Sequence, residues 1–498
     1  MTDGLVVGID IATSDVRAIC VDAQGTVLAE AANSLPPVHR PRPGWAEQDV
    51  RALWPTVAAV LRRTTALVGG RRGAVVAVAP ATTSGTVMLA DRRGEPMGPA
   101  LAYDDTRARS EAARAQEAGR ARWDALGLRV TPSFTLAKLA WFAAHSDGFD
   151  GVAHAWSAAD LVVSRLLGTP GPTDWSHALK GGYDLIRHEW PLDVYETLGV
   201  PPTLLPAVQS PASLAGRVSA SAAQETGLPE GCEVRLGMTD GCAAQLATGP
   251  LSPGRFVSVL GTTLVIKGVT AKLLRDPAGV VYSHLHPEGW WLPGGASNTG
   301  GEALAHFDGA DLGALDRAAA ARGPAGCIRY PLARAGERFP FLEPRAREFT
   351  LGDPADDVDL YRAAMEGVAF VERLAYDRLS SLGADPVGSI AIAGGASRSR
   401  VWSEIRATVL QRPLDVPATP TSAFGAALLA ASGTLHPDLS TAAALMVRHR
   451  HQIEPDQAQR SALSESYERF CEELARRGWI SNESPPREEP ALQPGAAL

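Results

Sequence analysis

The sequence predicts an α/β fold of two domains, each a mixed sheet flanked by helices, with a cleft between them. At 498 residues the chain is too long for a single hydrophobic core. A hairpin of two strands around a short polar turn occurs once in each half, at residues 5–21 and 255–268. Strand and helix patterns alternate towards the end of the chain, as they do in sheets covered by helices. The two hairpins are a short internal similarity, which favours two similar domains facing each other.

Composition excludes several classes of protein. Charged residues make up 20% and apolar residues 45% of the chain, an ordinary balance for a globular protein. The net charge of −8, without a basic block, argues against a nucleic-acid surface. No run approaches the ~20 apolar residues of a membrane span, and the N-terminus lacks a signal-peptide pattern. The scattered cysteines indicate reduced thiols. We therefore expect a cytoplasmic monomer or homodimer whose partners are small molecules, neither nucleic acid nor membrane.

The first hairpin is a candidate phosphate and metal site. Leu5 to Asp10 is predicted as an apolar strand and Val16 to Val21 as its return, with Thr13 and Ser14 in the turn. Such a loop offers backbone N–H groups and hydroxyls to a phosphate, and a carboxylate to Mg²⁺. The pattern also fits an ordinary polar turn.

Two segments of the first half suit a sugar. The strand predicted at 74–79 leads into a polar turn at 82–85, and residues 99–107 set an aromatic beside two carboxylates and an arginine. Aromatic faces stack on sugar rings and carboxylates accept bonds from their hydroxyls, although composition alone fits a solvated loop as well. Residues 110–200 are predicted to be mostly helical. The lone histidines there, His154, His177 and His188, are predicted to pack or to face solvent.

Asp240 is the candidate base. Residues 234–249 are predicted to form a short strand, a turn at Thr239-Asp240-Gly241 and a helix of small residues. A carboxylate at such a turn points out of the carboxyl end of a sheet, where α/β proteins build their sites. There it can take a proton from a substrate hydroxyl. Alternatively, Asp240 only caps the helix.

The second half repeats the strand–turn–strand pattern and adds two glycine turns. Gly261-Thr262-Thr263 forms the turn of the hairpin. The sequence predicts a glycine-rich turn opening a helix at 294–301, a long helix at 358–382, and a strand at 389–393 that enters Gly394-Gly395 before a helix at 401–410. The second turn lets a nucleotide approach the backbone, but adjoining glycines do not make the dinucleotide fingerprint. A tight strand-to-helix turn without a ligand remains an alternative. The tail after about residue 480 is predicted to be disordered.

Taken in order, these motifs resemble the FGGY carbohydrate kinases, a branch of the actin–hexokinase–Hsp70 (ribonuclease H-like) ATPase fold. The resemblance spans about residues 4–478. The segment at 393–414 is similar to the family's adenosine signature and is the most specific. The other matching segments are GIDIATSDVRA, GWAEQD, ALAYDDTRA, GMTDGCAAQLATG and LGTTLVI. The resemblance implies a first domain at 1–245, a second at 246–480 and a tail at 481–498.

Within the family, four segments look like the D-ribulose kinases of cyanobacteria and plants: ATTSGTVMLAD, DWSHALKGGYD, VYSHLH and GGASNTGG. The implied reaction moves the ATP γ-phosphate, with Mg²⁺, to the terminal hydroxyl of D-ribulose. By position, Asp240 is implied as the base and Asp10 as the residue that holds Mg²⁺. The residues implied in sugar binding are Asp10, Ser84, Asp104 and Asp240. Those implied in ATP binding are Thr13, Ser14, Gly261, Thr262, Thr263, Gly394, Gly395, Ser399 and Trp402.

Three positions depart from the family pattern. Ala12 stands where the family usually has glycine, which adds a methyl group to the first phosphate loop. Tyr103 stands where many members have tryptophan, and Ser399 where asparagine is frequent. The first difference concerns the geometry of the loop, and the others concern affinity.

Other functions stay open at this stage. The acceptor could be D-xylulose, L-ribulose, a polyol or a heptulose. A non-catalytic ATP-binding regulator of actin-like fold would not need both Asp10 and Asp240. A nucleotide-linked oxidoreductase is disfavoured by the missing spaced glycines.

Overall fold

The computed structural model describes residues 4–145, 148–249 and 251–481. Apart from Ser481, the predicted disordered tail lies outside these residues. In the described part, each half of the chain is built on one mixed sheet of seven strands.

The first sheet has its parallel core beside an antiparallel hairpin. Strand β1 pairs antiparallel with β2 and parallel with β4, β2 pairs with β3, and β4 pairs parallel with both β6 and β7. Its strands are β1 (Leu5–Ile11), β2 (Asp15–Asp22), β3 (Val27–Ser34), β4 (Val75–Thr82), β5 (Leu214–Arg217), β6 (Glu233–Arg235) and β7 (Met238–Thr239). The spatial order is β5-β6-β4-β1-β2-β3.

The second sheet repeats this plan. Strand β8 pairs antiparallel with β9 and parallel with β12, and β12 pairs parallel with β13. Its strands are β8 (Phe256–Leu260), β9 (Leu264–Gly268), β10 (Tyr282–Leu285), β11 (Trp291–Ala296), β12 (Ile390–Ala393), β13 (Leu414–Pro417) and β14 (His449–Ile453). The order is β10-β11-β9-β8-β12-β13-β14. The matching topologies confirm the prediction of two similar α/β domains.

Helices cover both sheets. The first half carries α1 (Leu53–Leu67), α2 (Arg109–Ala118), α3 (Arg120–Leu126), α4 (Thr135–His145), α5 (Ala158–Leu167), α6 (Trp175–Ala178), α7 (Leu192–Thr197), α8 (Ala220–Thr226) and α9 (Asp240–Leu246). The second half carries α10 (Leu312–Arg322), α11 (Asp357–Ser381), α12 (Arg400–Leu410), α13 (Ser422–Ala431), α14 (Leu439–Met446) and α15 (Arg460–Arg476). Short strand pairs, including 88–90 with 154–156, interrupt the helical region predicted at 110–200. None of the described helices combines the length and the apolar character needed to cross a bilayer.

The segment at 294–301 differs from its prediction. Gly294 and Gly295 belong to β11 rather than to a turn, and the 3₁₀ helix that follows begins at Gly301. The glycines serve packing: a Cβ at Gly295 would lie 2.6 Å from the ring of Phe339, and one at Gly294 2.8 Å from the Ile266 carbonyl oxygen. Glycine runs therefore mark crowding here, not a loop.

Helix α13 joins the two halves. Although it lies in the second half of the sequence, it packs against β1 and β4 of the first sheet and against α9. A Cβ at Gly8 would lie 1.9 Å from the Ala423 carbonyl oxygen, and one at Gly425 1.8 Å from that of Ala243. Backbone thus meets backbone at both crossings. The division at 245/246 stays a prediction, and by packing α13 belongs with the first sheet.

The hairpin β10–β11 makes a second contact between the halves. Leu285 and Trp291 pack into the helical core of the first half. The indole N–H of Trp175 donates to the Leu285 carbonyl at 2.9 Å. The hairpin therefore ties the second sheet to the helical part of the first half.

Candidate active site

Two carboxylates meet at the carboxyl ends of neighbouring strands. Asp10 is the last residue but one of β1, and Asp240 directly follows β7. Both strands pair parallel with β4, and Thr82 at the end of β4 is opposite both Ile11 and Thr239. Asp10 and Asp240 therefore lie on either side of Thr82, as predicted for a site at the edge of a sheet.

Asp240 is the first residue of helix α9, and Thr239 is the N-cap. The carboxylate accepts a bond from the adjacent Gly241 N–H at 2.6 Å. Asp240 therefore does not stand at the capping position that the alternative interpretation gave it. It is half-buried, which leaves it accessible to a ligand in the cleft.

Asp10 has an unusual ionisation. Burial, and then the nearby Asp240 and Asp15 carboxylates, raise the pKa of Asp10 to about 7, while Arg17 opposes the shift. Two carboxylates in one half-buried site repel each other, so the site favours a proton or a cation. This charge pattern fits a magnesium ligand.

The first phosphate loop is open to the cleft. Within it, the Ala12 N–H donates to the Asp15 carbonyl and the Gln48 side chain donates to the Thr13 carbonyl at 3.3 Å. Thr13 is partly exposed and Ser14 is exposed, and the Ser14 hydroxyl donates to the Asp15 carboxylate at 3.0 Å. The methyl group of Ala12 is accommodated in this turn.

Backbone hydrogen bonds with the segment at 299–301 support the predicted second phosphate loop. Gly301 N–H donates to the Gly261 carbonyl, and Leu264 N–H donates to the Thr299 carbonyl. A Cβ at Gly300 would lie 2.4 Å from Thr263. One at Gly261 would meet no atom within 4 Å, so this glycine faces open space while the segment at 299–301 supports the loop.

The two glycines of the predicted adenosine turn differ. Gly394 has φ +91°, and a Cβ there would lie 2.3 Å from the Leu260 carbonyl oxygen. Only glycine fits that place. A Cβ at Gly395 would meet only the Arg398 guanidinium, at 3.6 Å. Gly394 therefore allows the chain after β12 to approach the end of β8 closely, and the open space at Gly395 leaves room for a ligand.

Ser399 and Trp402 have structural roles at the start of α12. Ser399 Oγ caps the helix by accepting from the Trp402 N–H, and it donates to Asp316 at 2.8 Å. Trp402 is 3% exposed, and its indole N–H donates to the Met365 carbonyl. The amphipathic helix turns this ring into the core. The structure therefore does not bring the Trp402 side chain to an open pocket, unlike the prediction.

Ser84 and Asp104 converge on the sugar side. Lys138 Nζ donates to the Gly85 and Ala102 carbonyls, at 2.7 and 2.6 Å, and so ties the two loops together. Burial lowers the pKa of Lys138 to about 7. Among the described residues, Ser84 Oγ and Asp104 Oδ1 are buried without a hydrogen-bond partner, while Asp104 Oδ2 accepts from Arg40. Unsatisfied buried polar atoms of this kind fit a polar ligand.

Three further side chains, Lys180, Lys267 and His284, reach the same region and were not singled out from the sequence. Lys180 Nζ donates to the Ser84 carbonyl at 3.3 Å, and Lys267 Nζ donates to Cys242 Sγ at 3.4 Å. Burial lowers the pKa of Lys267, but Cys242, Tyr282 and Asp240 outweigh it and raise the pKa above its usual value.

His284 is 3% exposed, and its Nδ1 has no partner among the described residues. Burial, followed by Lys267 and Lys180, holds the pKa of His284 well below its usual value, so the ring is neutral. A charged residue inside the apolar strand LVIKG was the one available sequence signal. Lys180 and His284 come from distant segments, 175–184 and 281–286, that only the fold brings together.

The fold and this site define a carbohydrate kinase. Residues 5–247 match the model of the FGGY family of carbohydrate kinases, N-terminal domain, and residues 256–434 match that of the C-terminal domain. The chain belongs to the FGGY family of carbohydrate kinases. It is therefore a phosphotransferase that uses ATP and a sugar-type acceptor.

Individual relatives agree with this assignment. The chain is 31% identical to a xylulose kinase of Streptomyces rubiginosus, over 86% of this chain and 87% of that protein. It is 27% identical to a glycerol kinase of Gloeobacter violaceus, over 86% and 88%. The crystal structure of a xylulose kinase from Rhodospirillum rubrum superposes with a TM-score of 0.86 at 30% identity, covering 95% of this chain and 99% of that one.

Proposed function

We propose that the protein transfers the γ-phosphate of ATP to the terminal hydroxyl of a ketopentose and that its acceptor is D-ribulose, giving D-ribulose 5-phosphate. The observation that carries the proposal is the position of Asp240. A half-buried carboxylate that directly follows β7 lies within electrostatic reach of Asp10.

Asp240 acts as the base. It accepts the proton of the terminal hydroxyl while the oxygen attacks the γ-phosphorus and the bond to ADP breaks. Phosphoryl transfer depends mainly on positioning and charge stabilisation, so a carboxylate in this place is sufficient. The Lys267 ammonium, which donates to Cys242 two residues further along α9, is close enough to interact electrostatically with the Asp240 carboxylate.

The phosphates lie between the two hairpin turns. Thr13 and Ser14 offer hydroxyls from the first domain, and Thr262 and Thr263 offer them from the second. The adenosine lies along Gly394 and Gly395, near Ser399. The open space above Gly261 and Gly395 supports this assignment.

Asp10 would hold Mg²⁺ together with the ATP phosphates. Among the described residues no cluster of three metal-ligating side chains exists, and Mg²⁺ in kinases is typically held by one or two carboxylates, water and phosphate. The raised pKa of Asp10 fits a cation there. The metal would neutralise charge on the phosphates when bound.

The acceptor region suits a ligand rich in oxygen atoms. Lys180 and Lys267 supply ammonium donors there, beside the Ser84 carbonyl and Cys242, and both carbonyl and hydroxyl oxygens accept from such groups. Ser84 and Asp104 have polar atoms free for sugar hydroxyls. The choice of D-ribulose rests on the likeness at 82–91 and 99–107. D-Xylulose is the second candidate, because relatives at about 30% identity are named xylulose kinases.

We also propose that the protein acts in the cytoplasm, as a monomer or a homodimer. The support comes from the cysteines. Cys20, Cys232, Cys242, Cys327 and Cys471 are free thiols in the fold, which is typical of a reducing compartment.

An ATP-coupled assay with a panel of acceptors tests the substrate. The two ketopentoses differ in one hydroxyl, and an unpaired buried partner costs about 5- to 150-fold in kcat/KM. We expect D-ribulose to exceed D-xylulose within that range, with L-ribulose and glycerol as controls. If D-xylulose or a polyol exceeds D-ribulose by more than about tenfold, the D-ribulose assignment is wrong. If no acceptor is phosphorylated, the proposed function is wrong.

A further inference from the structure

A buried hydrogen-bonded network runs from helix α6 to the strand that carries Asp240. It contains Asp174, Ser176 and His177, which are 2%, 0% and 6% exposed. We propose that Ser176 is a positioning residue for phosphoryl transfer, because its hydroxyl fixes the backbone immediately before the base. This inference rests on the proposed role of Asp240.

The network is rooted in Asp174. One carboxylate oxygen of Asp174 accepts from the Ser176 N–H at 2.9 Å, the Ser176 hydroxyl at 2.6 Å and the His177 N–H at 3.1 Å. The other oxygen bonds His177 Nδ1 at 2.5 Å. Asp174 therefore caps α6 and fixes the direction of both side chains.

Two further hydrogen bonds connect the network to the ends of strands β7 and β4. The Ser176 hydroxyl donates to Asp174, so its lone pairs face the Thr239 N–H, which donates to it at 2.9 Å. His177 Nε2 bonds Thr82 Oγ1 at 2.8 Å. Since Thr82 and Thr239 are opposite each other in the sheet, the network holds both strands at the point where Asp240 begins.

Because strand β7, which precedes Asp240, is short, the hydrogen bond between Thr239 and Ser176 is important for the position of this segment. Strand β7 has two residues, and among the described strands it pairs with β4 alone. Thr239, which is the N-cap of α9, makes no side-chain capping bond to that helix. The Ser176 hydroxyl accepts from the Thr239 N–H and so holds the peptide next to Asp240. A displacement of a reacting group by about 1 Å can lower a rate by about 10²-fold.

Ser176→Ala tests the inference, with Ser176→Thr as the conservative variant and Ser164→Ala as the matched control. Ser164 is also a buried serine of the first half, and its hydroxyl accepts the Gly171 N–H at 3.1 Å, but it is not bonded to the strand of Asp240. We expect Ser176→Ala to lower kcat by about 10- to 100-fold with both KM values within about twofold. Ser176→Thr should restore kcat, and Ser164→Ala should leave it unchanged.

Hydrogen exchange of the peptide containing Thr239 gives a second measurement that does not depend on the acceptor. Exchange there should be faster in Ser176→Ala than in the wild type, and unchanged in Ser164→Ala. Unchanged exchange in Ser176→Ala overturns the inference whatever the acceptor is. So does faster exchange with an undiminished kcat, or an equal loss of kcat in both alanine variants. A wild type that phosphorylates no acceptor refutes the proposed function instead.

Discussion

At the scale of single residues, the environment of Asp10 decides its chemistry. A carboxylate that is half-buried beside Asp240 and Asp15 takes up a proton near neutral pH. In the cleft this favours a bound cation, and without one it destabilises the fold once the carboxylate ionises. The residue that would hold the metal is therefore a source of strain in the ligand-free protein.

The pH dependence of stability tests this. Because the folded pKa of about 7 lies above the unfolded value of 3.8, ionisation of Asp10 costs stability progressively as pH rises from about 4 to about 7. We predict that Asp10→Asn raises Tm in the ligand-free protein and that its advantage grows through this window and then levels off. Asp150→Asn, at an exposed position, is the control. An advantage that shrinks between pH 5 and pH 7 would contradict the assigned pKa.

Gly395 provides a probe of the nucleotide site. A side chain there has room in the ligand-free fold, so Gly395→Val should fold normally and block only the adenosine. We predict weaker ATP binding in calorimetry with sugar binding largely intact. Gly261→Ala, at another open position, should affect ATP in the same direction. Equal loss of both affinities in Gly395→Val would show that the pocket is assigned wrongly.

The sequence could predict some of these residues and not others. Asp10, Asp240 and Gly395 lie at or directly after the ends of strands, where local pattern carries the information. Lys267 and His284 reach the predicted acceptor region from the second half. Burial, and then Lys267 and Lys180, which are 17 and 104 positions away, hold the pKa of His284 well below its usual value. Such assemblies are set by tertiary contacts, which local patterns do not contain. Trp402 is a different case: the motif implied a place at the nucleotide pocket, whereas the side chain lies in the core.

At the scale of elements, small-residue helices allow the two halves to meet. Helices α9 and α13 cross with backbone against backbone at Gly425 and Ala243. Asp240 begins α9, so the packing of this pair holds the proposed base against the first sheet. The sequence predicted the small-residue helix α9, but its contact with α13 joins residues about 180 positions apart and could not be seen from periodicity.

Gly425→Ala is predicted to destabilise the protein. The added methyl group would lie 1.8 Å from the Ala243 carbonyl oxygen, so the helices must separate, at a cost of about 1–3 kcal/mol. Urea denaturation measures this. Gly70→Ala, where a Cβ would meet nothing within 4 Å, should change stability by less than about 0.5 kcal/mol. Equal stability of the two variants would mean that the crossing is not tightly packed.

At the scale of the whole molecule, two mixed sheets of similar strand order are joined by helix α13 and by the hairpin β10–β11. The repeat was visible in the sequence as two short hairpins, because each hairpin is local. The packing of α13, a helix of the second half, against the first sheet could not be predicted from the sequence, because it depends on contacts between distant residues. The same packing holds α9, which begins at Asp240, against the first sheet, and this position underlies the proposed chemistry.

The measurement that tests the account most directly is the turnover of Asp240→Asn. Asparagine keeps the size and the place of the side chain but cannot accept a proton as a carboxylate does. We predict that the rate of phosphoryl transfer to D-ribulose falls by roughly 10²-fold or more, while calorimetry shows ATP affinity close to that of the wild type and Tm is preserved. A variant that folds, binds ATP and turns over at a near-native rate would contradict the assignment of Asp240 as the base.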